Sequence, residues 1–258
     1  MTDLLKVRNS SYILYEETLM KKENLKKEAE QIRINYLKEF GDLLLNVFHA
    51  KIRCIELKKR IAYCQRCINT GEEIHEEELE EYIDDEMAEY NDQLAQFGTD
   101  VILANRSKEV SEQDYYKVKE IYYRLAKEIH PDMRPDLAED SVLKDYWNQI
   151  GAAYRLNQLE ELIDLEALVS RYLQEMGITD KEIEIQNVDK RIERLEKEIE
   201  RIRTTEPYIY RKVLDDPDTS AKKKQKLEQE LNEYNAYFEE LEAILKNFEI
   251  IRCDEDET

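Results

Sequence analysis

The chain has 258 residues, 60 acidic and 39 basic, for a formal net charge of −21, and it holds only five glycines and four prolines. So few chain breakers exclude an all-β sandwich or barrel, and the missing glycine clusters exclude a dinucleotide-binding or P-loop enzyme. The acid excess opposes sequence-independent binding to nucleic acid, while a hydrophobic content of 41 % with 17 tyrosines is too high for a disordered chain. Those exclusions leave an all-α protein of long helices.

From Leu25 the apolar residues advance by threes and fours: Leu25, Ala29, Ile32, Tyr36, Phe40, Leu43, Val47, Ala50, Cys54, Leu57, Ile61, Cys64, Ile68. This is a coiled-coil seam with one stutter. It predicts a helix from about Ser10 to Ile68, roughly 90 Å long. Asn69-Thr70-Gly71 stops it. A shorter acidic helix with Ile74, Leu79, Ile83, Met87, Tyr90, Leu94 and Phe97 on one stripe is expected to fold back antiparallel onto it.

Gly98 to Val110 reads as the first interruption, and Ser111-Glu112-Gln113-Asp114 as the next helix start. That helix carries Val118, Ile121, Tyr122, Leu125 and Ile129 on one face. It ends at Ile129-His130-Pro131, because the residue before proline is pushed out of the α region. Pro131 and Pro135 bracket a loop. A helix from about Ser141 follows, with Leu143, Trp147, Ile150 and Tyr154 at helical spacing. Asn157-Gln158-Leu159-Glu160 reads as a further cap, opening a helix to about Met176-Gly177.

In the last third, Ile185, Val188, Ile192, Leu195, Ile199 and Ile202 form one heptad stripe. Leu227, Leu231, Tyr234, Phe238, Leu241, Leu245 and Phe248 form another. Two matched stripes around a tip at 204–220 predict an antiparallel coiled-coil hairpin. The tip holds Tyr208-Ile209-Tyr210 and Val213-Leu214, apolar residues that could cap the coiled coil or contact a client. Apolar heptads leave open whether the seams pair within one chain or between chains.

Cys64-Gln-Arg-Cys67 has metal-ligand spacing near Cys54, His49 and His75. Cys54 and Cys64 also fall on the seam, where cysteine acts as a small hydrophobe, and this second reading is preferred; no metal or cofactor is expected. No apolar run approaches the ~20 residues of a membrane span. MTDLLKVRNS lacks the pattern of a secretory signal, so a cytoplasmic location is expected.

The segment Tyr123-Arg-Leu-Ala-Lys-Glu-Ile-His-Pro-Asp132, followed by a helix bearing Trp147, Ile150, Ala153 and Tyr154, resembles the second helix, His-Pro-Asp loop and third helix of a J domain, the module of DnaJ-type co-chaperones. The match spans about 114–157. Tyr123, Glu128 and Met133 depart from the family's usual basic residues, and no first helix of its Tyr-x-x-Leu-Gly type precedes residue 111. The preceding coiled coil takes that helix's place, or the module is truncated. Residues 115–134 hold five cations against three acids, a local +2 in a chain of −21. Proline ends the helix and fixes its own φ, so His130 and Asp132 are expected to project from the loop.

The resemblance implies activity by contact. The basic face, with Lys119, Arg124 and Lys127, would dock on an acidic surface of a DnaK-type chaperone ATPase. The loop would then promote that partner's ATP hydrolysis, with Asp132 as the key ionic contact and His130 and Pro131 orienting it. The protein itself would not be an enzyme. The expected architecture is all-α, with long antiparallel coiled-coil helices flanking a small J-like module: an N-terminal coiled-coil region at 1–100, the J-like domain at 101–177, and the hairpin with an acidic tail at 178–258. The coiled coils would hold an unknown client or partner, or a second copy of the chain. The alternative is a structural or scaffolding protein whose J-like module is degenerate.

Overall fold

The computed structural model describes the backbone of residues 2–107, 110–178 and 187–255, and the side chains of 11–107, 110–178 and 187–248. All regular structure among them is helical. Helix α1 is Thr2–Thr70, α2 Glu76–Arg106, α3 Glu112–Ile129, α4 Ser141–Arg155, α5 Leu159–Glu175, α6 Val188–Thr204, α7 Arg211–Leu214 and α8 Pro217–Glu255, with a 3-10 turn at Tyr208–Tyr210. Ile185 of the expected heptad stripe, the side chain of Cys253 and residues 256–258 of the tail lie outside the described residues.

Contacts divide the chain into two compact units that interleave in sequence. One is Met1–Arg33 with Lys108–Arg211, the other Ile34–Ser107 with Lys212–Thr258. The three consecutive segments 1–100, 101–177 and 178–258 are therefore not the units of packing. The long helix α1 enters both cores, which a division by chain breaks does not register.

The second unit is built from long helices. Gly71 ends α1 with φ +72, and the Glu72 N–H donates to the Cys67 carbonyl at 2.9 Å, a glycine C-terminal turn. Helix α2 then runs antiparallel to α1. Cys64 and Cys67 share a cluster with Leu79 and Ile83, and Ile34 and Leu37 share one with Val101 and Ala104. The interruption expected from Gly98 does not occur, since α2 continues to Arg106. A single helical glycine costs about 1 kcal/mol, less than the ~1.5–3 kcal/mol from burying a side chain such as Val101. Gly41 of α1 permits this approach, since a Cβ there would lie 3.0 Å from Val101.

Helix α8 packs on another face of α1. Leu241 shares a cluster with Cys54 and Leu57. Lys224 pairs with Glu39 at 2.6 Å, and the Arg53 guanidinium lies 3.7 Å from the Phe238 ring centroid. Numbers rise together in these contacts, so α8 runs parallel to α1. The two stripes of the expected hairpin thus fall in different units. On α8, Leu241 is buried against α1 with Tyr234, Phe238 and Leu245 half-buried beside it, and the α6 stripe belongs to the other unit. Matched heptads identify a buried face without naming its partner.

In the first unit, short helices surround one core. Val118, Ile121, Tyr122, Leu125 and Ile129 of α3 meet Leu143, Ile150 and Tyr154 of α4, Leu162, Leu165 and Val169 of α5, and Ile192 and Leu195 of α6. Tyr15, Leu19 and Met20 of α1 complete it. The helix starts are local. Ser111 Oγ accepts from the Asp114 N–H at 3.1 Å, and Asp140 Oδ1 accepts from the Leu143 N–H at 2.9 Å, satisfying donors that a helix leaves unpaired. The start at α5 differs from the expected cap: Gln158 makes no side-chain cap bond, and Asn157 instead turns the chain with φ 55.

Candidate functional site

Helices α3 and α4 are joined by residues 130–140, which contain the His-Pro-Asp tripeptide. The loop is a string of turns. The His130 carbonyl accepts from the N–H of Met133 at 2.8 Å and of Arg134 at 2.7 Å, and the Arg134 carbonyl accepts from the Leu137 N–H at 3.0 Å. Met133 and Leu137 point into the core, so the methionine that departs from the family pattern is an anchor. Arg134 is also buried, donating to the Glu128 carbonyl at 3.2 Å and pairing with Asp136 at 3.1 Å.

His130 does not project from the loop. It is 5 % exposed, with the Trp147 ring at 4.6 Å and 63°. Its Nδ1 accepts the Asp132 N–H at 2.9 Å, so in the neutral ring the proton sits on Nε2. Burial lowers its pKa to about 4, against the raising effect of the Asp132 and Glu23 carboxylates. The expectation of a free imidazole fails because the loop turns inward behind Pro131 and the ring fills the gap beside Trp147.

Asp132 is half-buried and engaged. Its carboxylate Oδ1 lies 3.1 Å from Arg194 Nη2 and 3.8 Å from Arg191 Nη1, both on α6. Its carbonyl accepts from the Tyr15 hydroxyl at 3.0 Å and from Arg191 at 3.4 Å. The three groups around Asp132 come from 117 residues upstream and about 60 downstream, and no local sequence signal announces them.

The basic stretch of α3 is likewise partnered. Arg124 donates to Glu166 at 2.8 Å and to Glu120 at 2.9 Å, and Lys127 pairs with Glu16 at 2.6 Å. Lys119 Nζ sits 5.5 Å from the Tyr123 ring centroid. A groove of about 740 Å³ runs beside these residues, floored by Met20, Leu25, Tyr123 and Tyr208 and rimmed by charges of both signs. The local excess of cations counted along the sequence is thus offset by Glu16 and Glu166 from other helices.

Beneath α3 and α4 lies a polar seam. Asn24 donates to the Tyr123 hydroxyl and accepts from the Tyr154 hydroxyl, both at 2.6 Å. Tyr122 stacks on Tyr154 with centroids 3.8 Å apart and donates to Glu23 at 3.3 Å. The Lys27 ammonium is buried with no hydrogen-bond partner, facing the rings of Tyr154 at 4.2 Å and Tyr115 at 4.5 Å. Burial, with Lys119 nearby, lowers its pKa to about 8.

Cys54, Cys64 and Cys67 are buried among apolar residues of the second unit. Among the described residues no three His, Cys, Asp or Glu side chains gather as a metal site, and no helix is long and apolar enough to cross a membrane. The tip residues Tyr208, Ile209 and Tyr210 are half-buried, with Tyr208 against Glu28 of α1 at 3.4 Å.

Fold and site together define an all-helical protein with a loop-linked helix pair whose loop carries an ion-paired aspartate. No protein-family model matches the chain, and no curated protein or solved structure matches it either.

Proposed function

We propose that this protein is a J-like co-chaperone or adaptor that contacts a DnaK-type chaperone ATPase through the His130-Pro131-Asp132 loop and the α3 face bearing Lys119, Arg124 and Lys127. The observation that carries the reading is the loop itself. His130 is fixed by the Asp132 N–H and Trp147, which holds a partly exposed carboxylate at the end of an amphipathic helix. A preset geometry lowers the entropy lost on binding. Unpaired apolar residues of α2, Ile102 at 51 % and Leu103 at 60 % exposed, suit the long-helix unit to a client or partner protein. The test is single-turnover ATP hydrolysis by a purified DnaK-type chaperone. The intact protein should raise the rate, and His130→Gln should abolish the rise. No stimulation of a demonstrably active chaperone refutes the proposal.

A second reading has its own support. Lys119, Arg124, Lys127 and Asp132 all have partners within the unit, as a spacer module retained in a scaffolding protein would. Under that reading, charge reversal at Arg124 and Asp132 leaves partner capture unchanged, while disruption of the Leu241 contact removes it.

A further inference from the structure

We propose that α6 is an internal inhibitor of the His-Pro-Asp loop, its Arg191 and Arg194 occupying the Asp132 carboxylate that a chaperone would engage. The inference rests on the co-chaperone reading and concerns regulation of the same site.

Helix α6 is docked by apolar residues, with Leu195 fully buried and Ile192 nearly so in the shared core. Arg191 and Arg194 are three residues apart, hence on one helical face, and that face meets the loop. Two guanidinium groups converge on one carboxylate oxygen, at 3.1 and 3.8 Å. Arg194 is also tied to Glu198 at 3.6 Å, and Glu198 to Lys22 of α1 at 3.2 Å. Arg191 adds a bond to the Asp132 carbonyl, alongside that from Tyr15. Anchoring α6 does not require these pairs, because the apolar contacts already do so and half-exposed ion pairs add little to stability. What the arginines do is satisfy Asp132. An aspartate whose charge is already matched offers less to an incoming cation, so a partner must displace Arg191 and Arg194 first. The contact is open enough to yield, since the Arg194 side chain is 53 % exposed. The inhibition is therefore partial and set by competition, which shifts the concentration needed and leaves the maximal effect unchanged.

The test uses the full chain in a concentration series against single-turnover hydrolysis by a purified DnaK-type chaperone. Arg191→Gln with Arg194→Gln should lower the half-maximal concentration about fivefold at an unchanged plateau. Arg194→Gln alone should lower it about twofold, and it serves if the double variant melts early by circular dichroism. Asp132→Asn should remove stimulation in either background. Superimposable curves for wild type and folded variants, all dependent on Asp132, overturn the inhibitor and leave the co-chaperone reading standing. Flat curves for every protein overturn both.

Discussion

The two units solve the same burial problem differently. In the second, α1, α2 and α8 lie side by side, and their contacts step along the helices from Ile34 to Cys67. In the first, five helices place residues in a single core, where three tyrosines, a histidine and two lysines are buried alongside the aliphatic side chains. A row of clusters tolerates polar surface on every outward face and needs only periodicity. A single core in a small helical unit also needs partners for each buried polar group, since an unmatched one costs about 1–3 kcal/mol. The consequence is that the first unit is sensitive to individual side chains and to pH where the second is sensitive to apolar contacts.

The largest expected effect tests whether the α6 and α8 stripes are separate. Leu195→Ala should cost about 3 kcal/mol and Leu241→Ala about 2 kcal/mol. Because the two side chains lie in different clusters, the double variant should be additive within about 0.5 kcal/mol in urea unfolding. Hydrogen exchange should rise across 112–175 for Leu195→Ala and across 34–107 for Leu241→Ala. A coupling well beyond that margin would restore the hairpin and break the comparison.

Acid should distinguish the units next. Burial depresses the His130 pKa to about 4, from an ordinary 6.5, so the unfolded chain binds the extra proton first. The contribution to stability is full above pH 6.5 and declines as pH falls toward 4, by about 2 kcal/mol at pH 5. Protonation also removes the Nδ1 acceptor of the Asp132 N–H. His130→Gln should flatten this part of the pH profile. An equal slope in wild type and variant would show that the loss arises elsewhere.

A smaller effect comes from Lys27. Its pKa of about 8 means that the folded chain releases a proton that the unfolded chain keeps up to about pH 10.4, so stability rises between those values. Lys27→Met should raise stability at pH 7 by about 1 kcal/mol. The relief from burying a charge is offset by the lost contacts with Tyr115 and Tyr154. The advantage should shrink by pH 10, and a loss at pH 7 would show that the ring contacts dominate.

Much of the local structure was legible in the residues. The stop at Gly71, the start at Ser111, the end of α3 before Pro131 and the start of α4 near Ser141 rest on short-range hydrogen bonding and φ restriction, which operate within a few residues. The stripes of α1, α3, α4, α6 and α8 named the faces that are buried. The tripeptide at 130–132 was visible for the same reason, being contiguous.

Tertiary structure alone decided what those faces meet. A heptad stripe specifies that an apolar face must be covered, and several faces of equal pattern compete to cover it. Leu195 therefore joined Val118 and Ile150, while Leu241 joined Leu57. Gly98 broke no helix because Val101 beyond it had a place to bury. The local excess of cations at 115–134 was a property of the chain order, and Glu16 and Glu166 offset it from distant positions. Asp132 received Arg191, Arg194 and Tyr15 in the same way. Electrostatic partnership depends on distance in space, and helices separated by scores of residues set that distance only when the apolar faces have chosen their neighbours.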